Sequence, residues 1–352
     1  MQANSTAKYI HNCDDTVPAI PPSPTDGASF LDRPSCQLSY KIAYERAFQP
    51  TTSSEHYRRF YYQLQKNVDA QIKRVLDRLV ASRFYQDTVV IFTSDHGELL
   101  GSHGGIFQKW HQAFEETIRV PFIVHNPRLY KGPQTVDMLT SHVDIIPTLL
   151  GMAGVDPAAL APKLTPTHSD VRPLVGRDLS PLLKGTGTPA RANEPIYFMT
   201  DDDPTRGSFQ ENFTGFSYTS VRQPAHVETV VATIETSPGG KQLWKYSRYF
   251  DNQNFWKEPC QRDEVPRLEV FGESDLCDTV PKVVPIPDQF ELYNLTADPH
   301  ETVNRAFAAN QTAESEQARS LMAQILEEQR AQKRLTPESG LSQGIPGCSV
   351  AA

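Results

Sequence analysis

No apolar run in this 352-residue sequence approaches the roughly 18 residues a membrane-spanning helix needs; the longest, Val89 to Phe92, is strand-sized. The expectation is a chain with no membrane partner. Cysteine is scarce: Cys13, Cys36, Cys260, Cys277 and Cys348 include no Cys-x-x-Cys pair, and no histidine stands at zinc-finger spacing. A structural zinc site and a dense disulfide framework are both disfavoured. Basic charge is in deficit, with 34 Lys and Arg against 42 Asp and Glu for a formal net charge of −8. A general nucleic-acid binder needs the opposite balance, because its affinity comes from displacing counterions with a cationic face. Glycine, at 19 residues, is outnumbered by 28 prolines, a proline share of about 8% where about 5% is usual. The prolines are spread along the chain, which implies rigid loops rather than disorder. The opening QANSTAKYIHNCDD has neither the basic nor the apolar region of a secretory signal, so cytoplasm is the default expectation. Four Asn-x-Ser/Thr sequons, at Asn4, Asn212, Asn294 and Asn310, leave secretion of a longer form open.

The length suits two ordinary domains, or one large α/β domain with an appendage. Residues 1–50 read as an irregular lead-in, with VPAIPPSPTDG as proline-stiffened loop. From Tyr57 to Phe84 the apolar positions Phe60, Leu64, Val68, Ile72, Val75/Leu76 and Leu79 recur at steps of three and four, one face of a long amphipathic helix. Thr52 and Glu55 have the spacing of its capping box. TVVIFT (88–93) is continuously β-branched and aromatic, which predicts a strand buried on both faces inside a parallel sheet. VPFIV (120–124) reads as a second such strand, VDIIPTLL (143–150) as a short helix, and EPIYFMT (194–200) as a third strand. Beyond about residue 215 the texture changes to alternating strands at 229–234, 243–250 and 290–295, then an amphipathic helix over 313–333 with Leu321, Met322, Ile325 and Leu326 on one side. The domain reading is a lead-in over 1–50, an α/β layer over 51–215, an antiparallel-sheet-plus-helix subdomain over 216–335, and a tail over 336–352.

Chemistry concentrates in SDHGELLGSHGG (94–105), which begins where the TVVIFT strand ends. In open α/β sheets ligands bind outside the carboxyl ends of strands. An adjacent carboxylate and imidazole, Asp95 and His96, can be aimed at one divalent cation. Lys109, thirteen residues past His96, is a mobile cation that could meet an anionic ester. The bland readings stand beside these. Asp95 could cap a turn, His103 and His111 are ordinary loop histidines, and Asp144 is a first-turn carboxylate facing a helix dipole. Asp201, Asp202 and Asp203 line the same site only if the EPIYFMT strand is parallel; otherwise they form a solvated acidic loop. The sequence holds no nucleophile elbow and no phosphate-cradling glycine loop.

Seven stretches in order resemble the C-terminal part of the sulfatase family, within the alkaline-phosphatase-like superfamily. They are NVDAQIKRVLDRL (67–79), DTVVIFTSDHGELLGSHGG (87–105), FEETIRVPFIVHNP (114–127), SHVDIIPTLLGMAG (141–154), VGRDLSPLLKG (175–185), WKYSRYF (244–250) and ELYNLTADPHETVN (291–304). The resemblance implies an α/β fold: a partial alkaline-phosphatase-like sandwich, mainly parallel sheet flanked by helices, with a smaller C-terminal α+β subdomain. It implies hydrolysis of a small-molecule or sugar sulfate ester. Asp95 and His96 then correspond to the later pair of metal ligands, for Ca2+ in the first place with Mg2+ or Mn2+ as alternatives. Lys109 corresponds to the lysine that holds a sulfate oxygen.

The family's nucleophile is a formylglycine made from the cysteine of Cys-x-Pro-Ser-Arg. The five cysteine contexts here are CDDTV, CQLSY, CQRDE, CDTVP and CSVAA, and no Ser-x-Pro-x-Arg replaces them. No catalytic nucleophile is therefore present, and Asp14-Asp15 are not the family's two early metal aspartates. The reading is a sulfatase-family hydrolase represented by a C-terminal portion that is inactive alone. A phosphonate monoester or phosphodiester hydrolase, a non-catalytic remnant, and a split enzyme completed by an N-terminal chain are the alternatives.

Overall fold

A strand whose side chains alternate in character has to bury two different faces, and the segment from 226 to 250 does so. The computed structural model describes residues 23–47, 55–168, 171–200, 221–252, 262–266, 277–281 and 286–333. In chain order its elements are α1 (Ser35–Ala47), α2 (Glu55–Val80), β1 (Val90–Thr93), α3 (Glu115–Ile118), β2 (Phe122–His125), α4 (Ile145–Met152), α5 (Pro157–Leu164) and α6 (Ser180–Leu183). They continue with β3 (Ile196–Met199), β4 (His226–Thr236), β5 (Gly240–Phe250), β6 (Arg262–Pro266), β7 (Cys277–Pro281), β8 (Gln289–Asn294) and α7 (Ala313–Lys333). Strands β3, β4, β5 and β8 form one antiparallel sheet in that order; β1–β2 and β6–β7 are separate antiparallel pairs.

Parity along the four-stranded sheet decides what packs on each side. Val230, Ala232, Ile234, Trp244, Tyr246 and Leu292 face α7, whose Ala318, Met322 and Leu326 recur every fourth residue and complete one buried cluster. Val227, Val231, Tyr249 and Tyr293 face the opposite side. There they meet Cys36, Tyr40 and Tyr44 of α1 and Leu99, Ile106, Phe107 and Phe114 of the loop that follows β1. Fully burying an aliphatic side chain such as Met322 or Leu292 contributes about 1.5–3 kcal/mol, so this doubly covered sheet anchors the described fold. It also seats the Asp-His loop directly on the C-terminal sheet.

The long helix, α4, α7 and the strands β1, β4, β5 and β8 lie where the sequence predicts them. Three readings differ. The lead-in contains α1, whose Cys36, Tyr40 and Tyr44 share one buried face. β1 pairs antiparallel with β2 rather than standing inside a parallel sheet, and the pair is half open: Phe92 is 41% and Ile123 56% exposed. A continuous apolar run signals burial on both faces, yet among the described residues β2 is the only strand β1 pairs with. The EPIYFMT strand, β3, pairs antiparallel with β4, so it belongs to the C-terminal sheet and not to the layer of β1. Asp201, Asp202, Asp203 and Thr52 lie outside the described residues.

The apolar face of α2 is likewise uncovered, with Val68 51% and Val75 69% exposed. Among the described residues no single helix is long and apolar enough to cross a membrane. Two sequon asparagines are engaged inside the fold. Asn294 is buried in β8 and donates to Gln242 Oε1, and Asn310 donates to Asp32 Oδ2 and to the Asn304 carbonyl.

Candidate functional site

The loop after β1 is fixed from both ends by its own polar groups. Ser94 Oγ donates to the His96 carbonyl at 2.9 Å, and Asp95 Oδ1 accepts from the His96 amide at 2.9 Å. That backbone hydrogen bond, with the neighbouring imidazole, holds the exposed Asp95 carboxyl below its ordinary value. Glu98 Oε1 accepts from the Gln108 amide at 2.6 Å, drawing the far end of the loop back to its start. Between them the chain runs through left-handed backbone: Leu100, His103, Gln108 and His111 hold φ of 50–71°. Side chains rarely adopt that region, and such residues persist only where their surroundings over-determine them.

Asp95 and His96 come together. Asp95 Oδ2 lies 3.3 Å from His96 Nε2, a spacing that fits two donors sharing one ion with metal–ligand distances of about 2.0–2.6 Å. His96 Nδ1 is 2.9 Å from the Gly97 carbonyl. A carbonyl can only accept, so the proton sits on Nδ1 and the Nε2 lone pair is left for a ligand. The pair therefore fits a divalent ion as far as it goes, supplying two of the six or more donors such an ion takes. Lys109 follows the pinned Gln108, is partly buried, and forms no ion pair with either residue among the described contacts. A cavity of about 730 Å³ between β2, residues 130–140 and α6 is lined by none of these three residues.

Gly97 explains the glycine of the Asp-His-Gly run. Its amide donates to the Thr117 carbonyl at 2.8 Å, and a Cβ there would stand 1.9 Å from the Glu116 carbonyl oxygen. The obstacle is backbone, so no rotamer relieves it. Gly97→Ala is expected to destabilise the chain by about 3 kcal/mol, the upper part of the usual overpacking range, as measured by urea unfolding. A loss under about 1 kcal/mol would show that α3 moves aside.

His103 is not an ordinary loop histidine. It is fully buried, stacks on Phe114 with centroids 3.7 Å apart, and its Nε2 lies 2.9 Å from Glu116 Oε2. Burial pushes its pKa down. His111 Nδ1 donates to the Ala225 carbonyl at 3.1 Å. Asp144 is the N3 carboxylate of a capping box on Ser141, as a first-turn acid should be, and is also salt-bridged to buried Arg177 at 2.7 Å.

The sequence reading missed a second cluster. Lys245 of β5, 1% exposed, reaches Glu301 Oε1 at 2.5 Å and Glu115 Oε1 at 3.2 Å. Burial pushes the Glu301 carboxyl up, with Lys245 opposing only in part, to about 8. Burial works against the Lys245 charge, but its two carboxylates outweigh that and raise its pKa. His103, Glu116 and Glu301 present donor atoms within 4.8 Å of one another, as a metal site would. The cation already seated against Glu301 is the Lys245 ammonium. Arg33 Nη2, 3.5 Å from His103 Nδ1, sets the tautomer whose Nε2–H donates to Glu116. With the Lys245 ammonium against Glu301 and Glu115, and His103 donating to Glu116, the cluster is a closed network of charged and hydrogen-bonded groups. A signal was available in WKYSRYF: alternation puts Lys245 on the face opposite Trp244 and Tyr246, and a lysine on a covered face requires a carboxylate.

Residues 36–155 match the family described as Sulfatase. An N-acetylglucosamine-6-O-sulfatase of Bacteroides thetaiotaomicron is 29% identical over 160 residues, covering 45% of this chain and 26% of that protein. An extracellular sulfatase SULF-1 homolog of Drosophila melanogaster is 32% identical over 146 residues, covering 42% of this chain and 12% of that protein. The fold is similar to a solved structure of a protein in complex with its substrate D-glucosamine-2-N,6-O-disulfate. That match has a TM-score of 0.52 and 24% identity, over 81% of this chain and 42% of that one. The chain thus spans about a quarter or less of these curated relatives and under half of the solved chain.

Proposed function

We propose, from the premise that residues 36–155 are a sulfatase-family segment, that this chain is part of a metal-dependent hydrolase of sulfate esters, with a sugar or other small-molecule sulfate as substrate. The observation that carries the reading is the Asp95–His96 pair at the carboxyl end of β1, presenting Oδ2 and Nε2 3.3 Å apart. In it, Asp95 and His96 hold one divalent ion, calcium in the first place, with magnesium or manganese compatible with the same donors. Such an ion, when bound, neutralises charge on the ester oxygens. His96 keeps its Nδ1 proton on the Gly97 carbonyl, so its Nε2 stays aimed at the ion. Lys109 brings an ammonium to a sulfate oxygen, orienting the ester and countering its charge.

The residues present do not fit a formylglycine nucleophile. None of the five cysteines stands in Cys-x-Pro-Ser-Arg. Cys36 is buried, with burial first and Glu291 second holding its thiol well above its ordinary pKa. The nucleophile and the remaining metal carboxylates then come from polypeptide outside residues 1–352.

Two results are expected of the purified chain. Mn2+ binding followed by electron paramagnetic resonance should be weak and should weaken at least tenfold further in both Asp95→Ala and His96→Ala; binding unchanged in both variants would sink the metal assignment. With Ca2+ present the chain should turn over neither 4-nitrophenyl sulfate nor an aryl phosphonate. Saturable sulfate turnover abolished by Asp95→Ala would place the nucleophile within these residues, and phosphonate turnover alone would change the reaction class.

A further inference from the structure

We propose that Lys245 and Glu301, far from Asp95 in sequence and carried by the C-terminal sheet and the turn after β8, are positioning residues for the Asp95–His96 loop. The proposal rests on the reading of that loop as the site.

The connection is a chain of short contacts. Glu301, fully buried and itself held at φ 53°, accepts the Glu115 amide at 2.7 Å through Oε2. That amide opens α3, where no helical partner exists for it. Lys245 lies between the carboxylates of Glu301 and Glu115, at 2.5 and 3.2 Å, and ties the side chain of the same residue to β5. Helix α3 then grips the loop twice. The Thr117 carbonyl accepts the Gly97 amide at 2.8 Å, one residue past His96, and Glu116 holds His103 at 2.9 Å. A Cβ on Gly97 would stand only 1.9 Å from the Glu116 carbonyl oxygen, so α3 packs directly on the backbone beside His96. Buried Lys245 and Glu301, with half-buried Glu115, have no role in binding an ion that Lys245 would repel. What they do is fix α3 in one place. The C-terminal sheet thereby sets the direction in which the Asp95–His96 pair faces.

The test compares hydrogen–deuterium exchange in the unsubstituted chain with two neutral double variants. Lys245→Met/Glu301→Leu removes the buried ammonium, the titratable carboxyl beside it and the acceptor for the Glu115 amide. Apolar replacement of a buried ion pair is tolerated far better than removal of one partner. Lys245→Met/Glu301→Gln also removes the ammonium and the titratable carboxyl but keeps an oxygen for that amide. In the leucine variant, amides of residues 97–118 are expected to exchange at least tenfold faster while β4, β5, β8 and α7 keep their protection. The glutamine variant is expected to restore protection in 97–118. Equal protection of 97–118 in the leucine variant would overturn the proposal. So would acceleration of the same size in β4, β5 and α7, global unfolding included, since the pair would then be a determinant of the whole fold. The readout uses neither metal nor substrate, so it is decided independently of whether the hydrolase reading stands.

Discussion

Between pH 5 and pH 9 the chain is expected to lose on the order of 4 kcal/mol of stability through one carboxyl, Glu301. In the unfolded chain that carboxyl titrates near 4.5, whereas in the fold burial retains its proton up to about 8. Between those values the folded state binds one more proton than the unfolded state, so rising pH favours unfolding. The loss begins near 4.5 and is complete once the pH passes 8. Lys245, raised from 10.5, keeps its full contribution throughout this window and loses it only above. His103 works in the opposite direction and only on the acid side: its lowered pKa costs stability as pH falls below 6.5. The comparison that isolates Glu301 is therefore urea unfolding of the unsubstituted chain and Glu301→Gln across the same pH series, since every other group cancels. Glu301→Gln should remove the decline. A parent curve that is flat or rises from pH 5 to 9, or an identical slope in the variant, would show that Glu301 is ionised in the fold.

Asp144→Ala is the substitution expected to cost most among the single changes, about 3–5 kcal/mol, because it leaves a buried guanidinium without its counter-charge. Asp144 is 2% and Arg177 4% exposed. Asp144 also accepts the Ser141 amide at 3.0 Å and the Arg177 amide at 2.7 Å. The alanine variant thus uncaps the turn that opens α4 and releases the 175–185 segment together. Arg177 would keep the Leu139 carbonyl at 2.6 Å, but a dipole does not replace a charge. The adjacent His142 sits against Thr93 at the end of β1, so this clamp also supports the strand that carries the site. Chemical denaturation of Asp144→Ala against Asp144→Ala/Arg177→Leu separates the causes. The double variant should recover most of the loss, and a single-variant loss under 1 kcal/mol would refute the argument.

Much of the secondary structure was legible because it is a matter of period. The 3.6-residue recurrence in 57–79 and 313–333 and the two-residue alternation in 229–234 and 243–250 each specify one kind of element. α1 was passed over because its buried face, Cys36, Tyr40 and Tyr44, is short and follows a proline-rich stretch. The candidate site was legible in part. Asp95 and His96 are neighbours in sequence, so only their orientation awaited the fold. Lys245 and Glu301 stand 56 positions apart, and nothing local pairs them.

The sequence by itself determined the order of the strands β1 to β5 and β8 and of the helices α2, α4 and α7, the Asp-His pair after an apolar strand, and the lack of a Cys-x-Pro-Ser-Arg motif. All of these are properties of residues within a few positions of one another. Tertiary structure alone decided the antiparallel pairing of β1, the transfer of β3 to the C-terminal sheet, and the joining of buried His103, Lys245 and Glu301 with half-buried Glu116 in one network. Strand direction and the partner of a buried charge are set by which distant segments share a face, and local periodicity carries no information about that.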